Sequence, residues 1–193
     1  MKKKLKIICL FVLLFSCQTQ IEKPLTKNKS DNDHLKNESE FLLICKNLPV
    51  VNLPFSVYCE NCCSHPQLSS EQEKINSYLP EGSSIVGLID LNDSFATLLT
   101  TYPADLIIPA VITFDFNGNK IDEEVFLGGY CGNDLEFRGQ NHFSISSDLT
   151  LIEKDTSYYF KRDSESLDIL DTIKTEIETK KYKMNKRGEI KSL

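Results

Sequence analysis

The densest chemistry in this chain sits in YCENCCSH, residues 58–65, where three cysteines and a histidine fall within seven positions. Thiols so close together can bond to each other, hold a metal ion or exchange electrons. Cys59-x-x-Cys62 has the spacing of half a zinc site, and Cys63, His65 or the distant Cys131 could supply the remaining ligands for zinc or copper. A second CxxC pair is missing. A redox-active CxxC of the thioredoxin type would open a helix within a βαβ pattern, whereas here another Cys and a Pro follow and no such pattern is visible. Disulfides are the plainer expectation. The candidates are Cys45, Cys59, Cys62, Cys63 and Cys131, of which Cys131, in the Gly-rich turn GGYCGND, is the one partner far along the chain. Closing so long a loop would restrict the unfolded chain and tie the segment before the first helix to the sheet.

Other constellations are weaker. Cys131, His142 and Asn141 or Asn133 could make a nucleophile, base and orienting group, but His142 lies in a strand-like run and the glycines around Cys131 read as turn residues. No G-x-S-x-G and no H-E-x-x-H occurs, so no catalytic residue is assigned. DFNGNKID, residues 115–122, has Gly in fourth place where an EF-hand loop needs it sixth, so it reads as a hairpin turn. Asp122-Glu123-Glu124 reads as the exposed start of a strand or a turn, because consecutive residues on a strand point to opposite faces.

The elements that would position these groups are mostly strands. Ser70–Leu79 is the persuasive helix, with Ser70-x-x-Glu73 as a capping box, acids in the first turn and Pro80 to end it. Residues 84–91 and 95–102 flank Asn92-Asp93-Ser94 as a hairpin. The most apolar run, 106–116, predicts a core strand with Pro109 at its start, a bulge or an edge, and Asn117-Gly118 turns it into a strand over 120–127. Further strands are expected at 142–146, 149–154, 157–161, 169–179 and the last few residues, with Lys186-Arg187-Gly188 as a turn. Three threonines and three isoleucines incline 167–179 to strand despite a helix-compatible spacing. Short runs joined by tight turns predict a mainly β domain over 41–193, an antiparallel meander forming a sandwich or a partly open barrel with one short helix.

The N-terminal residues are of another kind. Lys2, Lys3, Lys4 and Lys6 form a positive head, residues 7–15 are an unbroken apolar run, and Ser16 precedes Cys17. This is the layout of an export signal over residues 1–16, and a bilayer core of about 30 Å needs roughly 20 apolar residues, so the run is too short to span. Leu14-Phe15-Ser16-Cys17 resembles the lipobox of bacterial lipoproteins, with Phe15 as its one departure. The resemblance covers seventeen residues and implies cleavage before Cys17, lipid attachment at its sulfur and a cell-envelope location. In an envelope with two membranes, Gln18, in place of the acid that retains many lipoproteins at the inner membrane, implies outer-membrane delivery, and the lack of a tight acidic cluster after Cys17 implies a body facing the periplasm. The polar stretch 17–40, which contains His34, cannot bury enough apolar surface to order itself and reads as a flexible tether.

Composition narrows the function. Removing residues 1–16 takes away four lysines and no acid, moving the formal charge from −6 to −10. An acidic body with no basic stripe of interleaved aromatics is unsuited to nucleic acid. What remains is a membrane-anchored envelope module whose partner is another envelope protein, a glycan or a small ligand; the alternative is thiol or metal handling by residues 59–65.

Overall fold

The computed structural model describes residues 38–59, 63–127 and 131–193. The signal, Cys17, the tether to residue 37, Cys62 and Gly128-Gly129 lie outside the described residues. The elements run α1 (Glu40–Asn47), β1 (Phe55–Tyr58), α2 (Ser70–Glu73) continued by a 3-10 turn (Lys74–Ser77), β2 (Ser84–Leu91), β3 (Ala96–Tyr102), β4 (Ile108–Phe114), β5 (Lys120–Val125), β6 (Gly132–Asn133), β7 (Phe137–Ile145), β8 (Leu151–Arg162), β9 (Ile169–Met184) and β10 (Ile190–Ser192).

All strand pairs are antiparallel, and they make two sheets. The first is the meander β2-β3-β4-β5; the second runs β1-β7-β8-β9-β10, with β6 also on β7. A layered order follows from what each face buries. On one face of the four-stranded sheet, Ile85, Leu88, Ala96, Leu98, Ile112 and Phe114 pack with Phe41, Ile44, Cys45 and Leu48 around α1 and with Ile75 of the 3-10 turn. On the other, Ile89, Leu99 and Val111 meet Val57, Phe143, Ile145, Leu151 and Ile190 of the second sheet. Covered on both sides, β3 and β4 can afford no polar alternation, and six of the seven residues in each are buried. That is why 106–116 reads as the most apolar stretch of the chain. The architecture is a β-sandwich with a helical layer on one sheet. A phenylalanine pair, Phe126 and Phe143, stacks at 4.1 Å between ring centroids in the inter-sheet core.

Local chemistry explains the turns. The hairpin at Asn117-Gly118 forms with Gly118 at φ +84°, and the Asp115 carboxylate accepts from the N–H groups of Asn117 and Asn119 and from the Asn119 side chain. Gly118 also packs flat on the ring of Tyr78, where a Cβ has no room. Lys186-Arg187-Gly188 is the β9–β10 turn, with Gly188 at φ +82°. The segment before β1 binds the edge of β2 through Val51 N–H to Leu88 O and Leu88 N–H to Pro49 O, both 2.8 Å.

Several expectations need adjustment. The capping box begins one residue earlier than read: the Ser69 hydroxyl accepts from Gln72 N–H, and the Gln72 side chain accepts from Ser69 N–H at 2.8 Å. The helix it starts turns 3-10 after Glu73 and ends at Ser77, short of Pro80. A second helix, α1, was not expected; Ser39 caps it, accepting from Leu42 N–H at 3.1 Å, and Phe41, Ile44 and Cys45 form its buried stripe. Helical structure therefore begins at Glu40, the last residue assigned to the tether. The runs 149–154 and 157–161 are one strand, β8, because Asp155, Thr156 and Ser157 pair with β7 on one side and β9 on the other. Pro109 is accommodated as the second residue of β4, near the start of the strand.

Candidate functional site

β1 ends at Tyr58, and β6 begins at Gly132; both lie on the same edge of β7. This brings Cys59 and Cys131 together across 72 residues of sequence, and they form a disulfide with a Cα–Cα distance of 5.6 Å. The join is reinforced beside the sulfur. Cys59 N–H donates to the Asn141 carbonyl at 3.2 Å, and Asn141 N–H donates to Cys59 Sγ at 2.9 Å. Everything between the two cysteines, including α2 and the whole of the four-stranded sheet, is thus a loop closed on the edge of the second sheet.

The other residues of YCENCCSH divide around this bond. Tyr58 stacks on His142 at 4.4 Å between ring centroids, on the face of the second sheet away from the first. Burial first, then the neighbouring Lys154 ammonium, holds the His142 imidazole below its ordinary pKa. Cys63 is half-buried at φ +28° and packs against the inter-sheet core. His65 Nε2 sits 2.7 Å from the Thr101 hydroxyl at the end of β3. Of the candidate metal set Cys59, Cys62, Cys63 and His65, Cys59 is bonded to Cys131, so its sulfur is no thiolate ligand, His65 faces Thr101, and Cys62 lies outside the described residues. The same bond occupies the sulfur of the Cys131–His142 arrangement. Cys45 is apart from all of them: fully buried in the helical layer, its thiol is pushed up to about 12 by burial, so it is neither ligand nor nucleophile at neutral pH.

A feature that the linear sequence conceals lies where the β5 edge of the first sheet meets the inward face of the second. Glu124 and Val125 of β5, Asn141 of β7, Glu153 and Asp155 of β8, and Glu178, Lys180 and Tyr182 of β9 line a cleft of about 320 Å³. Register explains the gathering: Glu153 pairs with Lys180 and Asp155 with Glu178 on the inward face of the second sheet. Four carboxylates face one lysine. Desolvation, and then the Glu153 and Asp122 charges, raise the Glu124 pKa against the opposing pull of Lys180 and the Tyr182 hydroxyl. Glu153 has a structural partner as well, accepting from Leu127 N–H at 2.9 Å and so linking the sheets. Such a cleft repels anions and attracts cations. Among the described residues, no three His, Cys, Asp or Glu side chains are gathered closely enough to hold a metal ion. The acids of 122–124 do separate as a strand requires: Asp122 accepts from Ile190 N–H at 2.8 Å, while Glu123 accepts from the Tyr102 hydroxyl and pairs with Lys120. No signal within a short sequence window could have found the cleft, since its strands meet only through pairings 14 or more residues apart.

Compared with known proteins, the chain matches no family model, no curated protein and no solved structure.

Proposed function

We propose that this protein is a lipid-anchored module of a bacterial cell envelope, held to its membrane through Cys17 and presenting a non-catalytic β-sandwich at the end of a polar tether. The observation that carries the reading is Leu14-Phe15-Ser16-Cys17 at the end of a nine-residue apolar run behind four lysines. A diacylglyceryl group on Cys17 supplies two chains, and at about 0.8 kcal/mol per buried methylene two lipid chains suffice for stable anchoring. The Cys59–Cys131 disulfide supports the same address, because such bonds persist outside the reducing cytosol. In the body, Cys59 and Cys131 are bonded to each other and His65 meets Thr101, which favours binding or structural work over catalysis.

Gln18 after the modified cysteine points to the outer membrane, with the body facing the periplasm. Growing the source cells with labelled palmitate tests the anchor: the wild type takes up label and Cys17→Ala does not. Label retained in Cys17→Ala, or absent from the wild type, refutes the anchor, and co-fractionation with inner-membrane markers refutes the outer-membrane address.

A further inference from the structure

The long strand β9 has one unused edge. It runs sixteen residues beside β8, while β10 covers only Tyr182, Lys183 and Met184, and Leu193 N–H reaches the Lys181 carbonyl at 2.8 Å. From Ile169 to Lys180, no strand of the described residues lies against the side away from β8. Every residue there is exposed, including Ile169, Ile173 and Ile177 at 52%, 64% and 58%. A row of free backbone donors and acceptors of this length is a template for another strand.

The side chains along this edge specify which strand. Residues 173–177 read Ile-Lys-Thr-Glu-Ile, a segment complementary to itself when reversed. We propose that two copies of this chain join β9 to β9 antiparallel about a twofold axis at Thr175, continuing the second sheet from one copy into the other. In that register Lys174 meets Glu176 of the second copy, Ile173 meets Ile177, and both pairings occur twice. Within this segment no like charges oppose each other. Opposite-charge and apolar cross-strand pairs stabilise a ladder, and like charges directly opposite weaken it. A twofold axis perpendicular to the sheet keeps each side chain on its own face, so the centre must fall on a residue. Moving it to Lys174 or to Glu176 sets like charges together on the axis, and moving it to Ile177 sets Glu176 against Glu178 and Lys174 against Lys180.

The charged pair is arranged in advance. Lys174 and Glu176 share a face of β9 and are joined at 2.6 Å. The Tyr159 hydroxyl of β8 donates to Glu176 at 2.9 Å, and Lys174 Nζ lies 5.4 Å from the centre of the Tyr159 ring. A second copy would extend this into a ladder of four alternating charges with little side-chain ordering left to do. Ile173 is the extra residue of a bulge opposite Tyr159 and Phe160, which increases the local twist and restricts the strands that can dock there.

The test uses the full chain purified in detergent. Directly opposite residues in an antiparallel pair have Cα atoms about 4.5–5.5 Å apart, within the reach of a disulfide. Thr175→Cys should therefore give a covalent dimer under mild oxidation, in clear excess over wild type. Thr179→Cys should not, since its own copy lies roughly 27 Å away at about 3.4 Å per residue. In sedimentation, Lys174→Glu should weaken dimerisation about tenfold, and Lys174→Glu/Glu176→Lys should return it to near the wild-type value. A monomer at all concentrations, equal cross-linking at both cysteine positions, or a dimer indifferent to Lys174→Glu overturns the proposal, whatever becomes of the lipid anchor.

Discussion

Removing the Cys59–Cys131 disulfide should cost this protein about as much as emptying a large core position. The bond joins positions 72 apart, and the segment it closes holds α2 and all four strands of the first sheet. In the chain-entropy account, a closed loop of this size reduces the freedom of the unfolded chain by about 4 kcal/mol at 25 °C. The double variant Cys59→Ser/Cys131→Ser is the right perturbation, because a single substitution leaves a reactive thiol. It should lose about 2–4 kcal/mol, with the native fold still held by β1 and β6 on β7. Urea unfolding is the assay. At a slope of about 2 kcal/mol/M, the midpoint falls by roughly 1–2 M. The slope itself should rise, because the unfolded chain without its cross-link exposes more surface. A loss below about 1 kcal/mol would refute the reasoning, since it would mean that the loop spanning the first sheet is restrained in the unfolded state by something other than this bond.

Other substitutions follow from particular contacts. The Thr97 hydroxyl is buried between the sheets with no hydrogen-bond partner among the described residues, so Thr97→Val should stabilise by about 1 kcal/mol in the same urea assay. Gly118→Ala combines a φ of +84° with a Cβ driven into the Tyr78 ring, and should cost about 2 kcal/mol, read as a melting point lower by roughly 4–8 °C. The Glu124 carboxyl has a folded pKa above its unfolded value, through desolvation and then the charges of Glu153 and Asp122, so its ionised form opposes folding at neutral pH. That opposition disappears as the pH falls through the folded pKa. Glu124→Gln should therefore be more stable than wild type at pH 7 and equal to it below about pH 4, as unfolding measured across that range would show.

What could be read in advance follows the range over which each signal acts. The Asn117-Gly118 turn and the hairpin of residues 84–91 with 95–102 are written within a few residues, and both form. The strand β4 was legible because burial on both faces demands an unbroken apolar run, and β9 because its threonines and isoleucines suit a pleated surface better than a helix. That Cys131 could close a long loop was legible by reach, but its partner was not: Cys59 is selected among Cys45, Cys59, Cys62 and Cys63 because β1 and β6 share one edge of β7. The rest depended on distance along the chain. β1 is four residues whose hydrogen bonds go to β7, over eighty residues later, and β6 is two residues long. α1 is an eight-residue helix next to a polar stretch, and its apolar stripe of Phe41, Ile44, Cys45 and Leu48 has meaning only against Phe114 and Ile112. Asp155-Thr156-Ser157 looks like a turn by composition, yet it continues β8 because neighbours on both sides satisfy its backbone. The acidic cleft is the extreme case, assembled from β5, β7, β8 and β9 by register alone.

The intact mass of the chain extracted in its native state from the membrane fraction bears most directly on the central claim. The account predicts a protein that begins at Cys17, carries the mass of two or three acyl chains, and is lighter by two hydrogens for the Cys59–Cys131 bond. An unacylated chain, or one with a different first residue, would contradict it.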